Sequence, residues 1–386
     1  MEEFDIVIIG GGASGAFCAL NLNKNLKVAL VDANLFPAKK LLVTGNGRCN
    51  LTNLTVKNNS YNTDISNFLN KFNADSAIKK FDELGLKTYA DQENRVYPIS
   101  NSAKSVVDVF CYHLNKNKNL KILQQQVQCI TKQDNKYHVQ TQDQTLITKN
   151  IVVATGGNTQ NLLCEFDLET TQCVPSLVAL KTKQKMDRLD GIRVSNVKVS
   201  CKTQNITYSE FGEILFKKDG LSGICILNIS CMFARDKSFT GKVFVNLLPQ
   251  YSYEKLFEIL KTNFQIFDNA LNALTPILHK QLAIELLYRS NLEQNQPCKQ
   301  ITDKQLNVLI NNICKMEFDI KDCYNNQQVY CGGVKLESLD NTLQSKKHKG
   351  LYFCGEICDV DGLCGGYNLQ WAWTSAFVVA SAFGDR

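Results

Sequence analysis

Residues 4–32 have the sequence FDIVIIGGGASGAFCALNLNKNLKVALVD, and this segment indicates the fold class. An apolar run ends at Ile9, the motif GGGASG occupies residues 10–15, and small and apolar residues follow it. This order predicts a buried strand, a tight glycine turn and a helix. A second apolar strand, predicted over residues 27–31, leads directly into Asp32. Together these features predict a unit that binds a dinucleotide.

The glycine spacing Gly10-x-Gly12-x-x-Gly15 has a chemical meaning at each position. The first glycine permits the tight turn, the second lets the backbone approach a pyrophosphate, and the third lets helix and strand pack closely. The phosphates then lie at a helix N-terminus, where free N–H groups favour negative charge. Asp32 suits a free ribose 2′-hydroxyl, as in FAD or NAD, better than a 2′-phosphate. The alternative is a glycine-rich loop without chemical meaning.

Two further glycine sites follow in the order that an FAD domain would have. The first, Ala154-Thr155-Gly156-Gly157, comes after three predicted strands, and its alternative reading is a simple turn. The second comprises residues 355–368, in which Gly365-Gly366-Tyr367 leads into an apolar helix predicted over residues 368–382. A helix N-terminus there would favour an anionic reduced flavin. The loop of residues 41–53 is rich in hydrogen-bonding groups, and either caps helices or contacts the cofactor.

Composition limits the class of protein. The chain has 386 residues, 44% of them hydrophobic, and a formal net charge of +6, which together exclude a largely disordered chain. The positive charge permits a nucleic-acid partner, although a generic solvated surface explains it as well. Sixteen cysteines without C-x-x-C spacing and four unclustered histidines indicate buried thiols rather than disulfides or a metal site.

No apolar run approaches the ~20 residues of a membrane span. The acidic start of the chain lacks the basic region of a signal peptide, so the sequence predicts a cytoplasmic protein. The oligomeric state is not predictable from these features.

The predicted fold class is α/β, with a Rossmann-like FAD-binding domain formed from both chain ends. Its N-terminal part is residues 1–190 and its C-terminal part residues 341–386, and a β plus helical substrate domain is inserted over residues 191–340. Within the insertion, residues 220–223 predict a helix start with Ser222 as N-cap. Successive strands are predicted over residues 121–130, 137–141 and 146–154.

Several blocks of the sequence resemble the BaiN/RdsA flavoprotein family, whose members are also described as aminoacetone oxidase-type or NAD(P)/FAD-dependent oxidoreductases. The blocks are GGGASG (10–15), KKLLVTGNGRCNLTN (39–53), RVYPISNSAKSVVD (95–108), GEILFKKDGLSG (212–223), VYCGGV (329–334) and GLYFCGEICDVDGLCGGYNLQWAW (350–373). The resemblance runs from end to end of the chain. It implies an FAD-binding domain interrupted by a β-barrel-like piece and a helical piece.

The resemblance also implies a set of FAD contacts, with Val127 as a backbone contact to the adenine. In this sequence the matching positions are Gly10, Gly12, Ser14, Gly15, Asp32, Lys40, Gly45, Asn46, Gly47, Arg48, Cys49, Asn50, Val127, Thr155, Gly156, Gly355, Glu356, Asp361, Gly366, Tyr367, Asn368 and Leu369. Asn46 replaces a common glycine, and asparagine tolerates the left-handed backbone conformation.

The family does not determine the reaction. The favoured hypothesis is an NAD(P)H-fed reductase of an activated C=C bond, with a uridine of ribosomal RNA as one substrate (a dihydrouridine synthase). The alternatives are an oxidase of a small amine such as aminoacetone, a reductase of steroid-like enones, and a flavin-dependent redox sensor. No second dinucleotide motif is evident, so NADPH or NADH would dock transiently. The catalytic residue is unknown: Cys49, tuned by Arg48, and Tyr367 are candidate acids.

Overall fold

The computed structural model describes residues 2–157, 159–324 and 329–384, with Gln160 described by its backbone alone. The chain divides into two compact units, one made of residues 1–174 and 329–386 and the other of residues 175–328. These borders lie 16 and 12 residues before the expected bounds at 190/191 and 340/341. The difference arises because residues 180–182 already form a barrel strand, while residues 329–334 pair with the strand that ends the first stretch.

The strands are numbered in chain order. They are β1 (Glu2–Ile9), β2 (Val28–Asp32), β3 (Thr52–Asn53), β4 (Thr88–Ala90), β5 (Arg95–Pro98), β6 (Leu120–Gln124), β7 (Val127–Gln133), β8 (Lys136–Thr141), β9 (Thr145–Val153), β10 (Thr170–Ser176), β11 (Leu180–Thr182), β12 (Arg193–Lys202), β13 (Thr207–Lys217), β14 (Gly220–Ser222), β15 (Gly241–Asn246), β16 (Met316–Cys323), β17 (Val329–Val334) and β18 (Leu351–Phe353).

The helices are numbered in the same way. They are α1 (Ala13–Asn21), α2 (Ser66–Leu69), α3 (Ala74–Glu83), α4 (Ala103–Lys116), α5 (Ile224–Arg235), α6 (Tyr253–Ile266), α7 (Ala270–Leu274), α8 (Lys280–Arg289), α9 (Asp303–Cys314) and α10 (Tyr367–Ser381).

The first unit is built on a seven-stranded sheet in the order β6-β2-β1-β9-β8-β7, with β18 also paired to β9. Strands β6, β2, β1, β9 and β18 are parallel, and β7, β8 and β9 form an antiparallel meander. The carboxyl ends of β1, β2, β9 and β18 therefore meet at one edge of the sheet, which is where ligands of open α/β sheets bind. The strand predicted over residues 121–130 is in fact two strands, since β6 pairs with β2 and β7 begins the meander.

The core of the first unit forms because apolar side chains follow the strand and helix periods. Both sides of β1 are buried from Ile6 onward, as expected of a parallel strand covered on two faces. Against it, α1 and α10 meet through an aromatic cluster in which the rings of Phe17 and Trp373 lie 5.1 Å apart. Trp371 and Trp373 are both buried and belong to the core of this unit.

The second unit is a closed barrel in the strand order β11-β14-β13-β12-β15-β16, accompanied by helices α5–α9. The α5 helix begins after Gly223, whose φ is +94° and whose Cβ, if present, would lie 2.7 Å from the carbonyl oxygen of Glu213. The prediction of Ser222 as its N-cap is wrong, because Ser222 ends strand β14. Only glycine adopts the φ of +94° at position 223 without strain.

Among the residues that the structure describes, no helix combines the length and apolar character that crossing a bilayer requires. In the same residues, no group of three or more His, Cys, Asp or Glu side chains could hold a metal ion.

Candidate functional site

The N-terminus of α1 leaves room for an anionic group. Gly10 has a φ of +97°, and a Cβ there would lie 2.4 Å from the carbonyl oxygen of Ala154. A Cβ on Gly15 would lie 1.8 Å from the carbonyl oxygen of Gly10, whereas a Cβ on Gly12 would meet nothing within 4 Å. None of the described side chains caps the helix, so its first N–H groups and the positive end of its dipole remain available to a phosphate.

Asp32 ends β2, next to this helix N-terminus. Its Oδ2 accepts a hydrogen bond from the Gly11 N–H at 2.5 Å, and its Oδ1 accepts from the Asn34 backbone N–H at 2.6 Å. The Asp32 carbonyl oxygen accepts from the Gln125 N–H at 2.9 Å, which brings the segment before β7, and with it Val127, close to the end of β2. The carboxylate is therefore fixed beside the glycine turn, as recognition of a ribose hydroxyl requires.

A carboxylate and an ammonium group from distant parts of the chain lie beside the second glycine turn, residues 154–157. A Cβ on Gly156 would lie 3.4 Å from Oε2 of Glu356 and 3.9 Å from Nζ of Lys40. The Glu356 carboxylate accepts hydrogen bonds from the backbone N–H groups of Gly157 (3.1 Å) and Tyr330 (2.7 Å). Burial raises the pKa of Glu356, and these N–H groups and Lys40 oppose the rise. Glu356 thus fixes the turn, while the exposed Lys40 can reach an anion.

The third glycine site packs directly against α1. Gly355 has a φ of +78°, and a Cβ there would lie 2.3 Å from Oγ of Ser14. The Ser14 hydroxyl donates to the carbonyl oxygen of Cys354 at 3.3 Å. The Gly355 N–H donates to Ser375 Oγ at 2.8 Å, and Trp371 Nε1 donates to the Gly355 carbonyl at 3.0 Å. Both backbone groups of Gly355 are therefore held by α10.

The loop of residues 44–53 is fastened to α10 by buried hydrogen bonds. Thr52 Oγ1 donates to Gln370 Oε1 at 2.6 Å, and Trp373 Nε1 donates to the carbonyl oxygen of Leu51 at 2.7 Å. Gln370 is fully buried, so this contact substitutes for water that cannot enter. These hydrogen bonds therefore fix the loop to the N-terminal half of α10.

The start of α10 is a tight approach between backbones. Gly366 has a φ of +103°, and a Cβ there would lie 2.6 Å from the carbonyl of Thr52 and 2.9 Å from Oδ1 of Asn50. Tyr367 follows as the first residue of the helix, and its carbonyl oxygen accepts from the Tyr61 hydroxyl at 2.9 Å. Its own hydroxyl lies 3.1 Å from Oγ1 of Thr55. Only glycine at position 366 permits this close approach to Thr52 and Asn50.

Asp361 and Asn368 shape the turn that precedes α10. The Asn368 amide pairs with the backbone N–H and carbonyl of Gly362, both at 2.9 Å. Asp361 is buried, and its backbone N–H donates to Oδ1 of Asn62 at 2.9 Å. The side chains of Asn62 and Asn368 therefore hold the backbone of this turn, and Asp361 is a buried part of it.

Left-handed backbone conformations are concentrated in the loop. Gly45 and Asn46 both have a φ of +55°, Gly47 has +78° and Cys49 has +60°. The prediction that Asn46 adopts the left-handed conformation is confirmed. Asn46 and Gly47 are exposed in this loop, and their place among the FAD contacts stays a prediction.

Cys49 does not have the properties of a tuned acid. The side chain is fully buried, and burial raises the pKa of its thiol to about 12. Arg48 instead lies over the ring of Tyr97, with 4.4 Å between its Cζ and the ring centroid. The hypothesis that Arg48 lowers the pKa of Cys49 is therefore wrong, because the guanidinium is directed to a different partner and desolvation dominates.

Three predicted positions remain to be placed. Val127 begins β7 and pairs with Thr141 beside a register shift in the ladder. Thr155 lies in the second glycine turn, where its Oγ1 is 2.6 Å from Oγ1 of Thr159. Leu369 packs against the apolar core from the first turn of α10.

Sequence reasoning missed four contacts that shape the site: Thr159, Tyr330, Thr52 and Gln370. Tyr330 and Gly157 are distant in the chain, and no local pattern marks their shared acceptor. Thr52 and Gln370 do lie within the blocks that carry the family resemblance, which was the available signal.

These residues fit FAD. Helix N–H groups without a side-chain cap, open space at Gly12, a fixed carboxylate at the end of β2 and a lysine at the second turn are the donors and acceptors that a dinucleotide needs. When bound, FAD supplies hydride chemistry. Fold and site together define the class: a Rossmann-type, FAD-dependent oxidoreductase.

The chain belongs to the family described as HI0933-like protein Rossmann domain, whose model matches residues 4–382. A 3-dehydro-bile acid delta(4,6)-reductase of Clostridium scindens is 29% identical, and the match covers 99% of each chain. A ribosomal RNA dihydrouridine synthase of Escherichia coli is 28% identical over 98% of each chain, and one of Haemophilus influenzae is 28% identical over 97% of each.

Two solved structures resemble the chain more distantly. GidA of Aquifex aeolicus has a TM-score of 0.43 and 14% identity, covering 98% of this chain and 62% of that one. A flavocytochrome c3 fumarate reductase has a TM-score of 0.45 and 12% identity, covering 100% of this chain and 79% of that one. These values are too low to bear on substrate or electron donor.

Proposed function

We propose that the protein is an NAD(P)H-fed, FAD-dependent reductase of an activated C=C bond, with a uridine of ribosomal RNA as its substrate. One observation carries the proposal: the relatives are named for different substrates, yet each name describes saturation of a C=C bond. In the overall reaction NAD(P)H loses a hydride and becomes NAD(P)⁺, and the substrate carbons gain one hydride and one proton. The proposed substrate and electron donor favour a cytoplasmic location.

In this proposal the three glycine turns hold FAD. The α1 N-terminus with Gly10, Gly12 and Gly15 binds the pyrophosphate, and Asp32 accepts from the adenosine ribose. Lys40 offers its ammonium group to an anionic part of the cofactor. The remaining predicted contacts position the backbone around it, with Val127 at the adenine.

We assign proton delivery to Tyr367 rather than Cys49. Tyr367 is partly exposed at the first turn of α10, and Tyr61 orients it through a hydrogen bond and an edge-on ring contact at 6.4 Å. A general acid contributes about 10²–10⁴-fold in rate. Tyr367→Phe should therefore lower kcat by about that factor without changing FAD content or flavin reduction by NADPH. Full turnover in Tyr367→Phe would refute the assignment.

The Lys-rich stretches of residues 116–121, 181–185 and 346–349 differ in how many of their charges are available to RNA phosphates. Lys121 pairs with Glu2 (2.6 Å), Lys181 with Asp322 (3.3 Å) and Lys347 with Asp167 (2.6 Å). In the described part of the chain, Lys183 and Lys185 are exposed and have no ion pair. Unpaired lysines are the ones that exchange counterions for phosphates, so RNA binding should weaken as salt rises.

The deciding experiment follows the flavin absorption of the purified protein under anaerobic conditions while NADPH, and then NADH, is added. The reduced protein is next offered ribosomal RNA transcribed in vitro. The proposal expects bleaching by a nicotinamide, reoxidation by RNA, and uridines that are heavier by two hydrogens. Reoxidation by a conjugated enone but not by RNA would instead favour the steroid-like substrate that the bile-acid relative suggests.

Failure of both nicotinamides to bleach the flavin would contradict the reductase proposal. Bleaching by aminoacetone, followed by peroxide release on admission of oxygen, would then identify the amine oxidase. If a nicotinamide bleaches the flavin but neither RNA nor an enone reoxidises it, a flavin-dependent redox sensor becomes the better description.

A further inference from the structure

An exposed tyrosine and an arginine form a stacked pair on the second unit. Tyr288 lies near the C-terminal end of α8, and its side chain is 66% exposed. The Cζ of Arg188 lies 5.2 Å from the centroid of the Tyr288 ring, and the Arg188 side chain is 53% exposed. An exposed tyrosine ring with a guanidinium group beside it offers flat surfaces on which a further planar group can stack.

A buried carboxylate lies next to the Arg188 side of this pair. The buried Glu285 lies 4.0 Å from the Arg188 guanidinium, and its other oxygen accepts from Arg289 Nε at 2.9 Å. Glu285 is one turn before Arg289 on α8, so the helix itself fixes the acceptor. Arg188 thus faces a buried carboxylate, while Arg188 and Tyr288 remain largely exposed.

The pair borders a cavity of about 400 Å³ that has a mixed lining. Its apolar surface comes from Ile284 and Leu292, and Glu293, Gln294 and Asn295 add a carboxylate and two amides. In the described residues, the amide side chains of Gln294 and Asn295 have no hydrogen-bond partner, and both are exposed. Carboxylates and amides read the hydrogen-bonding edges of bases, while a phosphate would be repelled by Glu293.

A basic segment precedes Arg188 in the chain. Lys183 and Lys185 are exposed and stand five and three residues before Arg188, between β11 and the 3-10 turn Asp187–Leu189. Neither has an ion pair within the portion of the chain that the structure covers. Neither lysine lines the cavity, and their closeness to Arg188 in the chain makes them the candidates for contacting phosphates that flank it.

We infer that the cavity beside Tyr288 and Arg188 binds a nucleobase of single-stranded RNA. The base stacks on the exposed aromatic or guanidinium plane, the amides and Glu293 contact its edge, and Lys183 and Lys185 contact the flanking phosphates. The inference rests on the proposed function, because an RNA substrate gives this site its purpose. A protein partner would need a continuous apolar patch, whereas here polar groups surround a single ring.

The test is fluorescence anisotropy of a labelled oligouridylate titrated with the FAD-loaded protein. Tyr288→Ala should weaken binding about tenfold, because stacking of one base contributes about that much. Tyr288→Phe should bind like the wild type, since the ring is retained. Lys183→Gln with Lys185→Gln should reduce the slope of log Kd against log salt, whereas Tyr288→Ala should leave that slope unchanged.

The matched control is Phe211→Ala on β13. Phe211 is 63% exposed and has Lys198 Nζ 5.3 Å from its ring centroid, but it does not line the cavity. Phe211→Ala should bind RNA like the wild type. Thermal midpoint and FAD content should be unchanged in every variant, because all the substituted side chains are exposed.

Failure of the inference and failure of the proposed function have different signatures. If Tyr288→Ala binds RNA as tightly as the wild type, or if the wild type does not bind the oligouridylate, the nucleobase site is wrong, whatever the enzyme reduces. If the wild type binds RNA through Tyr288 but forms no dihydrouridine, the site stands and the proposed substrate falls.

Discussion

Gly12 and Gly15 belong to one turn, yet an added methyl group meets different surroundings at each. At Gly12 it meets nothing within 4 Å, and at Gly15 it would lie 1.8 Å from a carbonyl oxygen. We expect Gly12→Ala to change the unfolding free energy of the apoprotein by less than about 0.5 kcal/mol. Its FAD affinity should nevertheless fall about tenfold, because the methyl group occupies the approach of the pyrophosphate.

Gly15→Ala should instead destabilise the apoprotein itself, by about 2–4 kcal/mol, because α1 must move away from the turn. Urea unfolding of both apoproteins and FAD titration followed by flavin fluorescence measure the two effects. Unaltered FAD affinity in Gly12→Ala would mean that the cofactor does not approach this glycine.

Cys49 and Cys164 differ in burial, and this difference predicts their reactivity. The thiolate is the nucleophile, and the pKa of Cys49 is raised to about 12, so at pH 8 its thiol stays neutral. Iodoacetamide should therefore label the exposed Cys164 and spare Cys49 in the native protein, and label both in urea. Reactivity of Cys49 should increase only as pH rises toward 12. Peptide mass spectrometry checks this, and rapid native labelling of Cys49 at pH 8 would contradict the buried assignment.

At the level of elements, the contact between the loop of residues 44–53 and α10 holds the site together. Thr52→Val would leave Gln370 Oε1 buried without its donor, which costs about 1–3 kcal/mol. FAD affinity should fall as well, because the loop is released from the helix. Both quantities are measured by urea unfolding and by FAD titration.

Thr148→Val provides the matched control for Thr52→Val. Thr148 is also fully buried, and its hydroxyl donates to the carbonyl oxygen of Asp5 at 3.0 Å, within β9 and away from the glycine turns. We expect a comparable loss of stability with unchanged FAD affinity. Equal loss of FAD affinity in both variants would show that general destabilisation, rather than the loop, is responsible.

Elements were predictable where one local pattern marks them. The strand, glycine turn and helix of residues 4–20 follow from periodicity and the glycine spacing. The glycines before α10 predict a helix from residue 368, one residue after its observed start at Tyr367. The split between β6 and β7 was not predictable, because Gln125 and Gln126 carry no turn signal. The chain changes direction there because β6 pairs in parallel with β2 and β7 pairs antiparallel with β8.

For the whole molecule, FAD should stabilise the two compact units unequally. Every proposed FAD contact lies in the first unit, residues 1–174 and 329–386. FAD at about 100 times its Kd adds about 2.7 kcal/mol to the state that binds it. Hydrogen exchange should slow in β1 and β9 when FAD is added, with little change in the barrel strands β12 and β13. Equal slowing in both units would contradict this assignment, and Gly12→Ala at the same FAD concentration is the control.

The features that could be predicted from the amino-acid sequence are those that depend on short-range order. Glycine spacing, the apolar runs and the acidic residue after β2 are local, so they identified the dinucleotide turn, the α/β class and the family. Most of the predicted cofactor positions belong to such short motifs. Their chemistry follows from residue type and neighbours.

Contacts between segments that are distant in the chain could be learned from the folded structure alone. Glu356 accepts from Gly157 and Tyr330, and Arg188 stacks on Tyr288, because packing brings together positions that are far apart in the chain. The same packing buries Cys49 and directs Arg48 to Tyr97, which reversed the expected effect on the thiol. Desolvation and contact geometry are properties of the folded surroundings, and no local pattern of residues encodes them.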